Sequence, residues 1–119
     1  MPIYPPNFRG SVANAATKYV GIPIGPSGRV SIHIGWLDAT TAGSFVFQTT
    51  QMDADEAPVE AAGSGEEWET ESAVSIASIV AAAAGAQTVH VSNMGPNVRA
   101  RLVFTATANS ELDIRSRTE

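Results

Sequence analysis

The chain has 119 residues, 44% of them hydrophobic, with no cysteine and a formal net charge of −5 at pH 7. That length suits one domain and is short for two, and the lack of Cys excludes disulfides, thiolate metal sites and thiol nucleophiles. The seven basic residues sit at the two ends, whereas nine acids and no Lys or Arg lie between Val30 and Val98, a middle that repels nucleic-acid phosphates and argues against direct DNA or RNA binding.

Residues 1–16 read as an extended arm, because Pro2, Pro5 and Pro6 remove backbone donors and residues 10–16 are small and polar. Such an arm is expected to be disordered or ordered by a neighbour. It has neither the basic start nor the apolar run of a signal peptide. The remaining residues, 17–119, are expected to form the folded domain. Tyr19, Val20, Ile22 and Ile24 make a first strand, with Pro23 marking an edge position, and Pro26-Ser27-Gly28 reads as a turn. Over residues 29–36, Val30, Ile32, Ile34 and Trp36 alternate with Ser31, His33 and Gly35, which is the period-2 pattern of a strand. Residues 44–50 repeat it with Phe45, Phe47 and Thr49 on one face.

Residues 51–65 are acidic and rich in Ala, Gly and Ser, and are expected to be a long exposed loop. Trp68 follows within Glu66-Glu67-Trp68-Glu69, where alternation buries the indole and exposes its neighbours. Residues 73–86 fit two readings. Val74, Ile76 and Val80 suit a strand, while Ile76, Ile79, Val80 and Ala83 suit a helical face and the Ala81 to Ala84 run favours helix; the β surroundings favour the strand. Residues 87–92 form a short strand, and Gly95-Pro96 turns the chain. Residues 98–114 then alternate again. Val98, Ala100, Leu102, Phe104 and Ala106 face one way, and with a turn at Ala108-Asn109-Ser110 and a restart at Leu112 and Ile114 the stretch reads as a β-hairpin. Seven or eight short strands separated by turns define an all-β chain, a single antiparallel β-sandwich or jelly-roll-like domain with an extended N-terminal arm.

Chemistry is sparse. His33 and His90 each lie mid-strand opposite the aliphatic face, the position of a surface or interface imidazole. No G-x-S-x-G elbow, P-loop or Gly-rich phosphate fingerprint occurs, so no catalytic residue, no cofactor and no enzymatic activity are expected. Asp53-Ala54-Asp55-Glu56 opens like a calcium loop, but Pro58 and Ser64 stand where that loop needs Gly and a bidentate Glu. No stretch approaches the roughly 20 apolar residues of a membrane span. Trp36, Trp68 and Tyr19 serve either a sugar-stacking platform or the core. Arg99 and Arg101 leave one strand face, either to solvent or to carboxylates of a neighbouring strand or subunit. Complementarity between the acidic middle of one subunit and the basic ends of another makes Arg9, Arg99 and Arg101 candidate interface residues, and the arm, suited to clasping a neighbour, adds Tyr4.

The run G-R-V-S-I-H-I-G-W over residues 28–36 comes first. A later Trp68 after a Gly/Ser loop, V-R-A-R-L-V-F-T-A-T over 98–107 and S-E-L-D-I over 110–114 follow. Together they resemble small β-sandwich virion proteins of tailed bacteriophages. The resemblance spans about residues 17–115; the Ala-rich run 81–86 and the length of the acidic loop depart from it. It implies a non-enzymatic capsid decoration (cement) protein. Such a protein is made in the host cytoplasm, incorporated into the virion, usually trimeric, and bound to the major capsid protein lattice. Related sandwiches serve in tail tips and host adhesion, which gives a carbohydrate-binding module as the alternative. It carries over no functional residue, since it consists of packing positions.

Overall fold

The computed structural model describes residues 6–60, 67–80, 84–92, 94 and 98–118. Among them are eight strands and no helix: β1 Phe8–Val12, β2 Thr17–Ile22, β3 Val30–Trp36, β4 Gly43–Thr50, β5 Glu69–Thr70, β6 Gly85–Val91, β7 Arg99–Ala106 and β8 Ser110–Thr118. No helix there is long and apolar enough to cross a membrane.

The strands build two four-stranded antiparallel sheets, ordered β1-β8-β3-β6 and β2-β7-β4-β5. Strands pair from the outside of the sequence inward: β1 with β8, β2 with β7, β3 with β6 and β4 with β5. The chain is thus one long hairpin rolled into a sandwich, the jelly-roll topology. Its tip is the acidic excursion between β4 and β5.

Period-2 alternation explains the layers. Val30, Ile32 and Ile34 of β3 and Leu112 and Ile114 of β8 meet Leu102, Phe104, Phe45 and Phe47 across the interior, all nearly or wholly buried. Phe45 and Phe104 lie opposite each other in register, with ring centroids 4.8 Å apart. The Pro26-Gly28 turn forms as its residues dictate: Gly28 has φ +71° and donates its N–H to Gly25 O at 3.0 Å.

Three expectations are corrected. Residues 98–114 do not form a hairpin, because β7 belongs to one sheet and β8 to the other. Residues 107–109 carry the chain across the end of the sandwich, so core-facing Ala106 and Leu112 belong to opposite layers; Ser110 Oγ donates to Ala108 O at 2.9 Å in this crossing. Alternation is blind to this choice, since either connection leaves the same residues facing the core.

The arm expected over residues 1–16 is part of the sandwich from β1 onward. Phe8 and Val12 face the core while Arg9 and Ser11 face out, and all five residues of β1 pair with β8. Asn7 fastens its start, receiving the Ser116 N–H at 2.9 Å and donating to Gly21 O at 3.2 Å.

Of the segment 73–86, residues 74–80 are neither strand nor helix apart from one bridge, Ile79 to Gly43. This stretch closes a side of the sandwich, with Ile79 buried and Val74 and Ile76 packed on the core. The Gln87 amide replaces the missing ladder: it donates to Ala77 O at 2.8 Å and accepts from Ala77 N at 3.3 Å. Residues 81–83 lie outside the described residues.

Candidate functional site: two arginines beneath the acidic loop

On β7 the residues alternate, so Ala100 and Leu102 enter the core while Arg99, Arg101 and Val103 face outward. The outward face at Arg101 is not open to solvent. Across the sheet, Arg101 stands between Gly21 of β2 and Gln48 of β4. Gly21 has no side chain, and Val59 from the acidic loop occupies the space above it: a Cβ built there would lie 3.6 Å from a Val59 methyl. The loop thereby lies down on the sheet and covers Arg101 completely.

Beneath this cover the guanidinium is held on several sides. Nε donates to Gln48 Oε1 at 2.8 Å, and Nη1 donates to Val59 O at 2.9 Å. The Trp68 ring lies 4.4 Å from the guanidinium carbon and the Tyr19 ring 4.5 Å away. Flat cations stack well on aromatic faces when water is excluded. Burial pushes the Arg101 pKa below its ordinary value, with the Tyr19 phenol acting in the opposite direction.

Arg99, one turn of the pleat away, holds the other end of the same loop. Its Nη1 donates to Ala57 O at 2.8 Å and to Met52 O at 3.1 Å, and it lies 5.5 Å from the Trp68 ring. Trp68 Nε1 completes the set with a 3.3 Å bond to Pro58 O. Ala57 and Trp68 are buried as the apolar part of this small second core. Asp53 shapes the loop: its Oδ1 accepts from the Asp55 and Glu56 N–H groups at 3.0 and 3.1 Å. Lys18 approaches Glu60 at 3.9 Å on the exposed rim.

The sequence placed Arg99 and Arg101 either in solvent or against carboxylates. The bonds given above run to backbone carbonyls of the acidic loop and to a neutral amide, and the loop covers Arg101. A strand pattern shows that a side chain leaves the core face, but not what folds back over it. The indole of Trp68 is buried as expected. Of the two readings for the aromatic residues, burial of Trp68 and stacking of Tyr19 on Arg101 favour packing over a sugar-stacking platform.

The remaining candidates lie elsewhere. Tyr4 is outside the described residues. Arg9 is on the outer face of the first sheet, where Nη1 donates to Asp113 Oδ2 at 2.7 Å with its own side chain 56% exposed. Arg115 closes on the same carboxylate through Nε at 2.9 Å and Nη2 at 3.1 Å. Hydrogen bonding from Arg115, with the charges of both arginines, holds the Asp113 pKa below its usual range against an opposing effect of burial. Sequence reading missed Asp113; the signal was Asp113 and Arg115 two apart on one strand face. Arg9 therefore does not join Arg99 and Arg101, which occupy the opposite sheet.

His33 and His90 are exposed on the outer face of the first sheet, and His90 Nδ1 lies 2.9 Å from Ser31 Oγ. Among the described residues, no group of three or more His, Asp and Glu side chains converges to hold a metal ion. The Asp53 carboxylate, foremost in the calcium-like run, is engaged with its own loop backbone. The fold and site together define a jelly-roll sandwich whose hairpin tip is fastened to one sheet by paired arginines. Compared with known protein families, curated proteins and solved structures, the chain matches none.

Proposed function

We propose that the chain is a non-enzymatic virion structural protein of the capsid decoration type. It acts as a homo-oligomer bound to a lattice of major capsid protein. The supporting observation is where the chemistry-bearing side chains go. Arg99, Arg101, Trp68 and Tyr19 hold residues 52–59 of the acidic loop against a sheet. Asp113 is likewise engaged with two arginines. A cement protein uses rigid loops and flat sheet faces for contact, not a reactive group.

Eight-stranded jelly rolls occur in viral capsid and in lectin domains, and a fold by itself does not choose between them. Burial of Trp68 takes away the aromatic face that a lectin reading needs, and this favours the capsid role. The resemblance of residues 28–36 and 98–114 to small phage virion proteins points the same way. The test is binding to capsids assembled without the protein. Saturable binding with a raised temperature of capsid rupture is expected. No binding and unchanged rupture, with a positive glycan array, would replace this reading by the adhesion module.

A further inference from the structure

We propose that the outer face of the first sheet docks against the acidic loop of a second copy of this chain, in a head-to-tail contact. The inference rests on the homo-oligomer reading given above and deepens it by naming the two patches that meet.

Four of the chain's seven basic residues gather on or beside this face. Arg9 lies opposite Asp113, Arg115 opposite His33, and Arg117 opposite Ser31, which in turn lies opposite His90. Residues directly opposite across a ladder, and those two apart on a strand, share a side of the sheet. Arg9, Arg115 and Arg117 therefore stand on one face with His33 and His90. Arg29, exposed, enters β3 two residues before Ser31, at the Arg117 end. Among the described residues, the acids of this face are Asp113 and Glu111. Asp113 is held by Arg9 and Arg115, and Glu111 accepts from the Ser11 hydroxyl at the far end. The face is thus electropositive in a chain whose formal charge is −5.

The opposite charge gathers on the other sheet. Asp55, Glu56 and Glu60 are exposed along the loop, which Arg99 and Arg101 fasten through Met52 O, Ala57 O and Val59 O. A loop already held in place loses less freedom when a partner meets it. Charge complementarity selects the occupant, because the cationic face and the anionic loop belong to one chain but to opposite sheets, and so meet only between copies. Arginine forks suit carboxylates, as the two-point grip of Arg115 on Asp113 shows. Nucleic acid suits the face less well. Phe8 and Trp36 pack against the core, which leaves no Phe, Tyr or Trp of β1, β3, β6 or β8 on this face to stack bases. Because the two patches differ, the contact is heterologous, and copies close into a ring or extend according to the rotation between neighbours.

Sedimentation equilibrium at about 0.01 M salt is expected to give a mass above the 12.4 kDa of one chain, rising with concentration. At about 1 M salt the mass is expected to return to one chain, since the Debye length shrinks from roughly 30 Å to 3 Å. Arg29→Glu with Arg117→Glu reverses the face, and Asp55→Lys with Glu56→Lys reverses the loop. Each pair is expected to weaken self-association about tenfold or more, with far-UV circular dichroism unchanged because all four side chains are exposed. A mixture of the two variants keeps one intact face and one intact loop, so a 1:1 complex that stops at two chains is expected. A wild-type protein that is monomeric at low salt overturns the proposal. So does association indifferent to either pair of substitutions, or a mixture that stays monomeric. Saturable binding of oligothymidylate without self-association, abolished by Arg29→Glu with Arg117→Glu, overturns it in favour of nucleic acid. Capsid binding by the Asp55→Lys, Glu56→Lys protein is measured separately, so failure of the head-to-tail contact and failure of the decoration role give different results.

Discussion

Replacing Arg101 by alanine removes the central contact between the acidic loop and the second sheet. Two charge-assisted hydrogen bonds disappear, to Gln48 Oε1 and Val59 O, each worth about 1.5–3 kcal/mol. The Trp68 and Tyr19 rings lose a cation stacked within 4.5 Å, a contribution of about 0.5–2 kcal/mol per ring. Against these stands the desolvation of a buried guanidinium, several kcal/mol, which the variant no longer bears. The balance is a loss of about 2–5 kcal/mol, since the Gln48 and Val59 oxygens are left without their donor at about 1–3 kcal/mol each. If the loop instead lifts so that water reaches Val59 O, Trp68 becomes exposed, and that costs about 3 kcal/mol by itself. Both routes give a similar figure, a large share of the roughly 6–18 kcal/mol expected for a domain of this length.

Urea unfolding followed by tryptophan fluorescence reads the effect, because Trp68 is 1% exposed while Trp36 is only half-buried. A red-shifted native emission in Arg101→Ala, with faster cleavage of residues 51–60 by a Glu-specific protease, indicates lifting of the loop. Arg101→Lys keeps the charge without the flat fork and is expected to recover less than half of the loss. A loss under about 1 kcal/mol with unchanged emission refutes the reasoning, since it means that the loop is held by something other than the arginine.

Asp113→Asn is expected to lower the melting temperature by a few degrees at neutral pH. The folded Asp113 pKa is depressed, so its stabilisation is present above the unfolded value near 3.9 and is lost as pH falls through the folded value. Melting curves of the two proteins should therefore converge in acid, and a gap that persists there contradicts the ion-pair account. Gly43→Ala builds a Cβ 2.4 Å from Thr105 O and 2.6 Å from the Phe104 ring, so a loss of about 2 kcal/mol or more is expected in denaturant unfolding. Gln87→Ala deletes both bonds to Ala77 and should cost about 1 kcal/mol, with amide exchange accelerating at residues 77–79 while β3 stays protected.

Much of this fold is legible in the sequence because strand alternation is a local property. Val30, Ile32 and Ile34 declare a buried face, and so do Phe45 and Phe47, whatever the rest of the chain does. The Pro26-Gly28 turn is equally local, since Gly28 takes a positive φ that a side chain resists. Trp68 is placed correctly for the same reason: acidic neighbours leave the indole as the residue to bury.

What the sequence could not supply is partnership. β7 and β8 alternate as two strands of a hairpin would, yet they belong to opposite sheets, because pairing is decided by residues far away: β1 and β3 for β8, β2 and β4 for β7. Phe8 and Val12 count as core only once β8 offers an edge to them. Arg99 and Arg101 show the same division. Alternation determined that they leave the core face, and composition determined that an acidic, small-residue segment precedes Trp68. Only the rolled-up hairpin laid that segment over the arginines and turned them from prospective surface charges into the fastening of a loop. The physical reason is that side-chain direction is set within a few residues, whereas burial depends on whatever distant segment returns to cover the face.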